Sequence, residues 1–442
     1  MKKLLAFVLA LVLVLSVTSA LAYSPEEPIT IQFWHTRGSG ANLTAVEDSV
    51  KAFNETVGKE KGIVVEQVYI GGYADLHAKT QLATQTGEQP VIAVSGCTYA
   101  PQLLDDGLLA DLMPYAIEDG FDVSNLFDAF MTAPGNSDTT LCSIPYVRST
   151  AVLFYNKTMA DAKNLTLPDQ PTWDEVAAFS TAMMEKDSTG EITVDGFQLT
   201  GGGNGFLYTA MYRQLGEDLL SFEGDAYTRT SPALDGHAVL DVFTFARNAV
   251  DAGWWRANDV TDGNNKAQER FYQGKLACLV ASTSSLANIM KNMAANNYEV
   301  GVVRFPAFQA DKPASMVGGG QLVVISKGNT EEQIRAGWEY IKFALSDEQV
   351  YLNSVNTGYL PVTKSVAYYD QMTNFWAEHP TYKVAYDQLD YAVLQEAPQF
   401  MYIAEFNANF DSELSLLLQE RSVTPEEAVA HLKDYNAHLL AK

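Results

Sequence analysis

Cysteine and histidine are scarce in this 442-residue chain, at three and six residues. Cys97, Cys142 and Cys278 are too few and too scattered for a disulfide framework or a metal cage, although an exported chain can pair two of them. The histidines, at 35, 77, 237, 379, 431 and 438, show no HExxH or related spacing, so no metal site is expected. Basic residues are outnumbered: 29 Lys and Arg against 54 Asp and Glu give a net charge of −25. That balance argues against nucleic acid or anionic lipid as a partner, since both are repelled at long range. It does not exclude a small anion, because donors in a cleft outweigh a distant field. Beyond the first 22 residues no apolar run approaches the roughly 20 residues of a membrane span.

The signatures of catalysis are also missing. There is no GxSxG elbow. The glycine-rich stretch Gly201-Gly202-Gly203-Asn204-Gly205 lacks the Lys-Ser/Thr ending of a P-loop and does not fit GxGxxG between a strand and a helix. Asp105 with Asp106, and Glu331 with Glu332, stand at turns and helix starts, where carboxylates favour the helix dipole. The expectation is therefore a non-enzyme without cofactor or metal.

What the chain has begins with Lys2 and Lys3, an apolar run over 4–17 and the small-residue pattern Ala20-Leu21-Ala22. This reads as a signal peptide cut before Tyr23, and the absence of a cysteine after the cut argues against a lipid anchor. The remainder exceeds one ordinary domain, and at 47% hydrophobic it is globular. Ile29, Ile31 and Phe33 alternate as a strand, Leu43, Val46, Val50, Phe53 and Val57 mark a helix face, and a strand (63–69), a helix (74–86) and a strand (91–94) follow. That alternation is the pattern of a parallel sheet wrapped by helices. Capping boxes are expected at Thr172 with Glu175, Thr330 with Gln333, Ser346 with Gln349, and Thr424 with Glu427. No flexible linker separates the halves, which implies lobes joined by several crossings. Strand-like runs between 279 and 325 suggest that the chain returns to its first lobe.

Aromatic and small polar residues cluster in loops: Phe33-Trp34-His35, the stretch 69–73, Ala281-Ser282-Thr283-Ser284-Ser285, Gly318-Gly319-Gly320 and Thr357-Gly358-Tyr359-Leu360-Pro361. Hydroxyls and backbone amides there suit a polyol or phosphate, and rings cover its apolar face.

These stretches resemble the large family of extracellular solute-binding proteins of ABC importers, and within it the glycerol-3-phosphate and glycerophosphodiester receptors. The carrying segments are FWH at 33–35, VYIGGY at 68–73, STAVLFYNK at 149–157, PTWDEV at 171–176, FYQGKLACLVASTSSLANI at 271–289, VGGG at 317–320 and NTGYLPVTK at 356–364. The resemblance implies an α/β, two-lobed periplasmic binding protein fold of type II, each lobe a sheet flanked by helices. The boundaries expected are 23–136 plus 290–345 for lobe I and 137–289 plus 346–442 for lobe II. By match, Tyr73, Ser149, Ser282, Gly319 and Tyr359 fall on ligand-contact positions. The family's cleft carboxylate aligns with Cys97, its cationic phosphate contact with Asn407, and its stacking tryptophans with Gly203 and Phe206. Arg148, beside Ser149, or Arg37, after the FWH turn, is the expected replacement cation, since losing an arginine removes a bidentate, charge-assisted partner.

The function expected is capture of glycerol 3-phosphate, a glycerophosphodiester or a related polyol-like solute by lobe closure, and delivery to the membrane subunits of an ABC permease. The protein would be a periplasmic monomer. A mono- or oligosaccharide receptor is the alternative, and an exported glycerophosphodiester hydrolase a remoter one.

Overall fold

The computed structural model describes residues 23–131, 135–200, 205–217, 220–222, 229–232, 234–257, 263–394 and 402–441. The expected signal peptide, residues 1–22, and Gly203 lie outside the described residues, as does the side chain of Phe206. No helix among the described residues is long and apolar enough to cross a membrane.

The principal strands are β1 (Ile29–His35), β2 (Ile63–Tyr69), β3 (Ile92–Gly96), β4 (Ile144–Asn156), β5 (Ile192–Leu199), β6 (Leu276–Ser282), β7 (Val300–Arg304), β8 (Ser315–Val324) and β9 (Ala392–Leu394). The helices that matter below are α1 (Gly40–Glu55), α2 (Tyr73–Thr86), α3 (Trp173–Met183), α4 (Gly205–Gln214), α5 (Ala238–Asp251), α6 (Gly263–Tyr272), α7 (Leu286–Ala295), α8 (Glu331–Ala344), α9 (Asp347–Thr357), α10 (Pro380–Asp387), α11 (Ile403–Leu414) and α12 (Pro425–Leu440).

The strands run β2-β1-β3-β8-β4-β6-β5, with β7 also pairing β4 and β9 pairing β8. β1 is parallel to β2 and β3, as the alternating sequence pattern implies. β8 pairs antiparallel with β3, so the chain does return to its first sheet. Only β8 does so, because β6 and β7 pair with β4 beyond Thr150.

β4 is the strand that divides the molecule. Residues 144–150 pair with β8 of the first lobe, and residues 151–156 pair with β6 and β7 of the second. Side-chain alternation along the strands gives each lobe a core on both faces of its sheet. In the first lobe, Ile31, Phe33, Ile92 and Val324 face one core, and Trp34, Ala93 and Val323 the other. In the second, Leu153, Cys278 and Val280 face the aromatic cluster around Trp173, while Phe154, Leu279 and Ala281 face α6 and α7.

The packing departs from the expected boundaries. Leu141 to Val147 and Val350 to Ala385 contribute to the first core, and Leu286, Ile289 and Met293 to the second. An amphipathic helix announces its apolar face but not the sheet it will cover.

The crossing is held by Gln388, fully buried. Its Nε2 donates to Thr150 Oγ1 and Ala151 O, both at 2.7 Å, and its Oε1 accepts from Phe305 N at 3.2 Å. Thr150 Oγ1 and Ser315 Oγ share a bond of 2.6 Å.

Three of the four expected capping boxes form, at Thr172, Thr330 and Thr424. Ser346 does not cap α9 through its side chain. Its hydroxyl turns back to Phe343 O at 2.8 Å, satisfying a carbonyl at the end of α8. The cysteines are all free and buried.

Candidate ligand-binding cleft

An open α/β sheet places ligands beyond the carboxyl ends of its strands. Thr36 and Arg37 follow β1, Tyr73 follows β2 and opens α2, and Cys97 and Tyr99 follow β3.

The start of α2 is fixed by Gly72 N donating to Asp75 Oδ2 at 3.0 Å. The Tyr73 ring lies across Gly96 and Gly320, which are register partners between β3 and β8. A Cβ on Gly96 would come within 3.0 Å of Tyr73 Cγ, and one on Gly320 within 2.9 Å of its Cε1. Glycine at both positions therefore makes the seat for the ring. Burial raises the Tyr73 phenol well above its usual pKa, Tyr359 and Cys97 adding to the shift, while Arg37 and a hydrogen bond with Thr36 oppose it. The phenol stays a neutral donor.

Gly319 has φ +115°, and a Cβ there would meet Val147 O at 1.9 Å, so the position requires glycine. Its carbonyl accepts from both Cys97 N and Cys97 Sγ at 3.2 Å. Arg148 is fully buried, and its guanidinium is committed to the first lobe: Nη1 donates to Cys97 Sγ, and Nη2 to Phe130 O at 3.3 Å and Gln321 Oε1 at 3.1 Å. Arg148, Cys97 and Gly319 thus form one connected wall.

Arg37 is in the opposite condition. It is 4% exposed, and its Nε, Nη1 and Nη2 have no hydrogen-bond partner. The guanidinium carbon lies 5.0 Å from the ring centroid of Tyr146 and 5.0 Å from that of Tyr359. The Arg37 backbone N–H donates to His35 Nδ1 at 3.2 Å, and His35 Nε2 bonds Gln67 Oε1. These bonds assign the proton to Nε2 and make the imidazole neutral. Burial lowers the His35 pKa, against the Gln67 bond and with the help of Arg37. A buried ion without a partner is costly, and two ring faces compensate in part. An incoming anion completes such a donor array.

At the crossing, Ser282 Oγ donates to Ser149 Oγ at 2.8 Å, bonds Ser284 Oγ at 2.9 Å and accepts from Ser284 N at 3.2 Å. The Tyr359 phenol is raised chiefly by burial, with Arg37 and a bond to Ser284 pulling it down. Leu360 N donates to Arg148 O at 2.7 Å, which ties the Tyr359 turn to β4. Tyr73, Tyr359, Arg37 and the serines are thereby brought together. Asn407 lies on α11, half-buried. One turn on is Asp411, whose carboxyl burial raises to about 6.

The sequence reading did not single out Tyr146, Tyr99, Tyr208 or Asp411. The signal for Tyr99 was its place after a parallel strand; Tyr146 carries none, because only tertiary contacts set it against Arg37, and Tyr208 packs in the core of the second lobe. A separate groove of about 660 Å³ lies beside Gln32, Trp34, Lys79, Gln89 and Asn329 and includes no cleft residue. No group of three or more metal-ligating side chains gathers among the described residues.

The chain is similar to the sn-glycerol-3-phosphate-binding periplasmic protein UgpB of Rhizobium meliloti, 24% identical over 81% of this chain and 81% of the relative. Its similarity to UgpB of Escherichia coli K12 is 26% over 82% of this chain and 80% of the relative. In fold it resembles UgpB from Mycobacterium tuberculosis in complex with glycerophosphocholine, with TM-score 0.78 and 20% identity over 93% of this chain and 98% of that one. It also resembles the maltose/maltodextrin-binding domain MalE from Bdellovibrio bacteriovorus bound to maltotriose, with TM-score 0.77 and 18% identity over 94% of this chain and 100% of that one. A family profile matches residues 48–384, and the chain belongs to the bacterial extracellular solute-binding proteins.

Proposed function

We propose that this protein captures glycerol 3-phosphate, a glycerophosphodiester or a related polyol-like solute by lobe closure and delivers it to the membrane subunits of an ABC importer. On this reading residues 1–22 are removed on export to the periplasm, and the receptor works as a monomer without cofactor. The observation that carries it is the unpartnered guanidinium of Arg37, buried between Tyr146 and Tyr359 beside the phenol of Tyr73. Such a group asks for an anion with oxygens in fork geometry. Arg37, and not the already bonded Arg148, is the replacement cation. Tyr73, Tyr359, Ser149 and Ser282 supply neutral hydroxyls for the rest of the solute. Gly319, Cys97 and Arg148 shape the wall behind them.

One observation favours a sugar instead: at Asn407, where the phosphate-ester receptors carry a cation, this chain has an amide. A thermal-shift panel of sn-glycerol 3-phosphate, glycerophosphocholine, glycerol, maltose and inorganic phosphate decides between them. A ligand at about 100 times its dissociation constant adds roughly 2.7 kcal/mol to stability. Stabilisation by the esters alone supports the proposal, and stabilisation by maltose alone replaces it with the sugar reading.

A further inference from the structure

The first turn of α1 has no side-chain cap of its own and is closed by the other lobe. Ser39, which precedes the helix, makes no side-chain bond to it, so the first amides of the turn need acceptors from elsewhere. Ala41 N donates to Asn288 Oδ1 at 3.2 Å, and beside it Asn42 Nδ2 donates to Ser284 O at 3.1 Å. Asn288 lies on α7, and Ser284 just before it. The two helices belong to different cores: Val46, Val50 and Phe53 of α1 pack in the first lobe, and Leu286, Ile289 and Met293 of α7 in the second. We infer that Asn288 and Ser284 form a latch between the lobes, which stabilises the closed receptor without touching the solute and so sets its affinity. The inference rests on capture by closure and not on which solute is captured.

Local geometry is fitted to the contact. Gly40 has φ +58°, and a Cβ there would come within 2.7 Å of Asn288 Oδ1, so glycine lets the turn approach the amide. Ser284 also ties the latch to the candidate site. Its N–H donates to Ser282 Oγ at 3.2 Å, and Ser282 Oγ donates to Ser149 Oγ at 2.8 Å. One residue thus meets the hydroxyl cluster with its amide and α1 with its carbonyl.

The latch also carries a cost. Asn42 Oδ1 is buried without a hydrogen-bond partner. Opening exposes it to water, which offsets part of what the two bonds contribute to the closed form. Such a contact biases a two-state equilibrium without locking it, as a receptor that must release its solute requires.

The test compares the mature wild-type chain with Asn288→Ala and Asn288→Asp. Alanine removes the acceptor and no core side chain, because Asn288 is half-buried and Leu286, Ile289 and Met293 carry the packing of α7. Loss of one neutral hydrogen bond from the closed form alone should weaken binding of sn-glycerol 3-phosphate about two- to tenfold by titration calorimetry. Aspartate keeps the acceptor and adds a negative charge at the N-terminus of α1, which the helix dipole favours. Without solute, Asn288→Asp should therefore show a smaller radius of gyration by small-angle scattering than Asn288→Ala, a comparison in which no bound anion meets the new charge. Unchanged affinity in Asn288→Ala, or equal radii for the two unliganded variants, overturns the latch. Tighter binding by Asn288→Ala also overturns it, by assigning the contact to the open form. If sn-glycerol 3-phosphate does not bind the wild type, the proposed solute class fails, and the scattering comparison, which needs no solute, decides the latch alone.

Discussion

Replacing Arg37 by methionine separates what the residue costs from what it does. An isolated buried ion carries a penalty of several kcal/mol after relaxation. The Tyr146 and Tyr359 rings, each 5.0 Å from the guanidinium carbon, return up to about 2 kcal/mol apiece. The balance leaves Arg37 unfavourable in the empty protein by about 1–3 kcal/mol. Methionine keeps most of the stem volume and brings no charge, so unliganded Arg37→Met should be more stable by that amount, read as a higher urea midpoint at constant slope. Ligand binding should change in the other sense. Two hydrogen bonds between a guanidinium and a phosphate together contribute about 3–4 kcal/mol, so the phosphate ester should bind a hundred- to a thousandfold more weakly by calorimetry. Arg37→Lys, which keeps the charge but loses the fork and the stacking, should fall between. A methionine variant that is less stable than the wild type and binds the ester with unchanged affinity would refute the assignment and make Arg37 a structural residue.

Further outcomes follow from single groups. Burial raises Asp411 to about 6, so its ionisation opposes folding: the stabilisation it gives when protonated is complete below about pH 4 and lost as the pH rises through 6. Asp411→Asn should therefore be more stable than wild type by about 3 kcal/mol at pH 7.5, and the gain should vanish near pH 4, as measured by urea unfolding at both values. Gly319→Ala places a Cβ 1.9 Å from Val147 O at φ +115°, and should cost about 3 kcal/mol or more or prevent folding. Thr172→Ala, which removes a formed capping box, should cost about 1 kcal/mol, whereas Ser346→Ala should cost at most a few tenths because its hydroxyl does not cap α9.

Much of the first lobe was legible because its signals are local. Period-two apolar residues gave β1, spacings of three and four gave α1, and threonine with glutamate or glutamine three residues on marked three helix starts correctly. Ser346 failed because the link between α8 and α9 is so short that the hydroxyl can serve the preceding helix end instead. The helices between 350 and 385 carry apolar faces, but nothing local says that they cover the first sheet. Composition and resemblance pointed to glycine and hydroxyl positions that the structure brings close to one another around β4 and β8. Arg37 and Arg148 could not be told apart, since both are arginines beside a recognised motif. What distinguishes them is partnership: Arg148 has Phe130, Gln321 and Cys97, and Arg37 has two ring faces and no acceptor.

The position of these groups relative to β4 decides what each contributes to closure. Ser149 and Ser282 sit where β4 passes between the lobes, Ser282 pairing in register with Ala151, and the Gln388 bonds hold the same point. Groups at a crossing move least when the lobes rotate, so the serine hydroxyls are presented alike in open and closed forms. Arg37 follows β1 and packs against Tyr146 of β4 and against Tyr359, close to the same crossing. A ligand shifts a two-state equilibrium only through its differential affinity for the two states. Contacts at the serines therefore add affinity without favouring closure, whereas contacts made by groups that one lobe alone carries favour the closed form. Small-angle scattering should show a smaller radius of gyration at saturating ligand than without it, and an unchanged radius on binding would refute capture by closure.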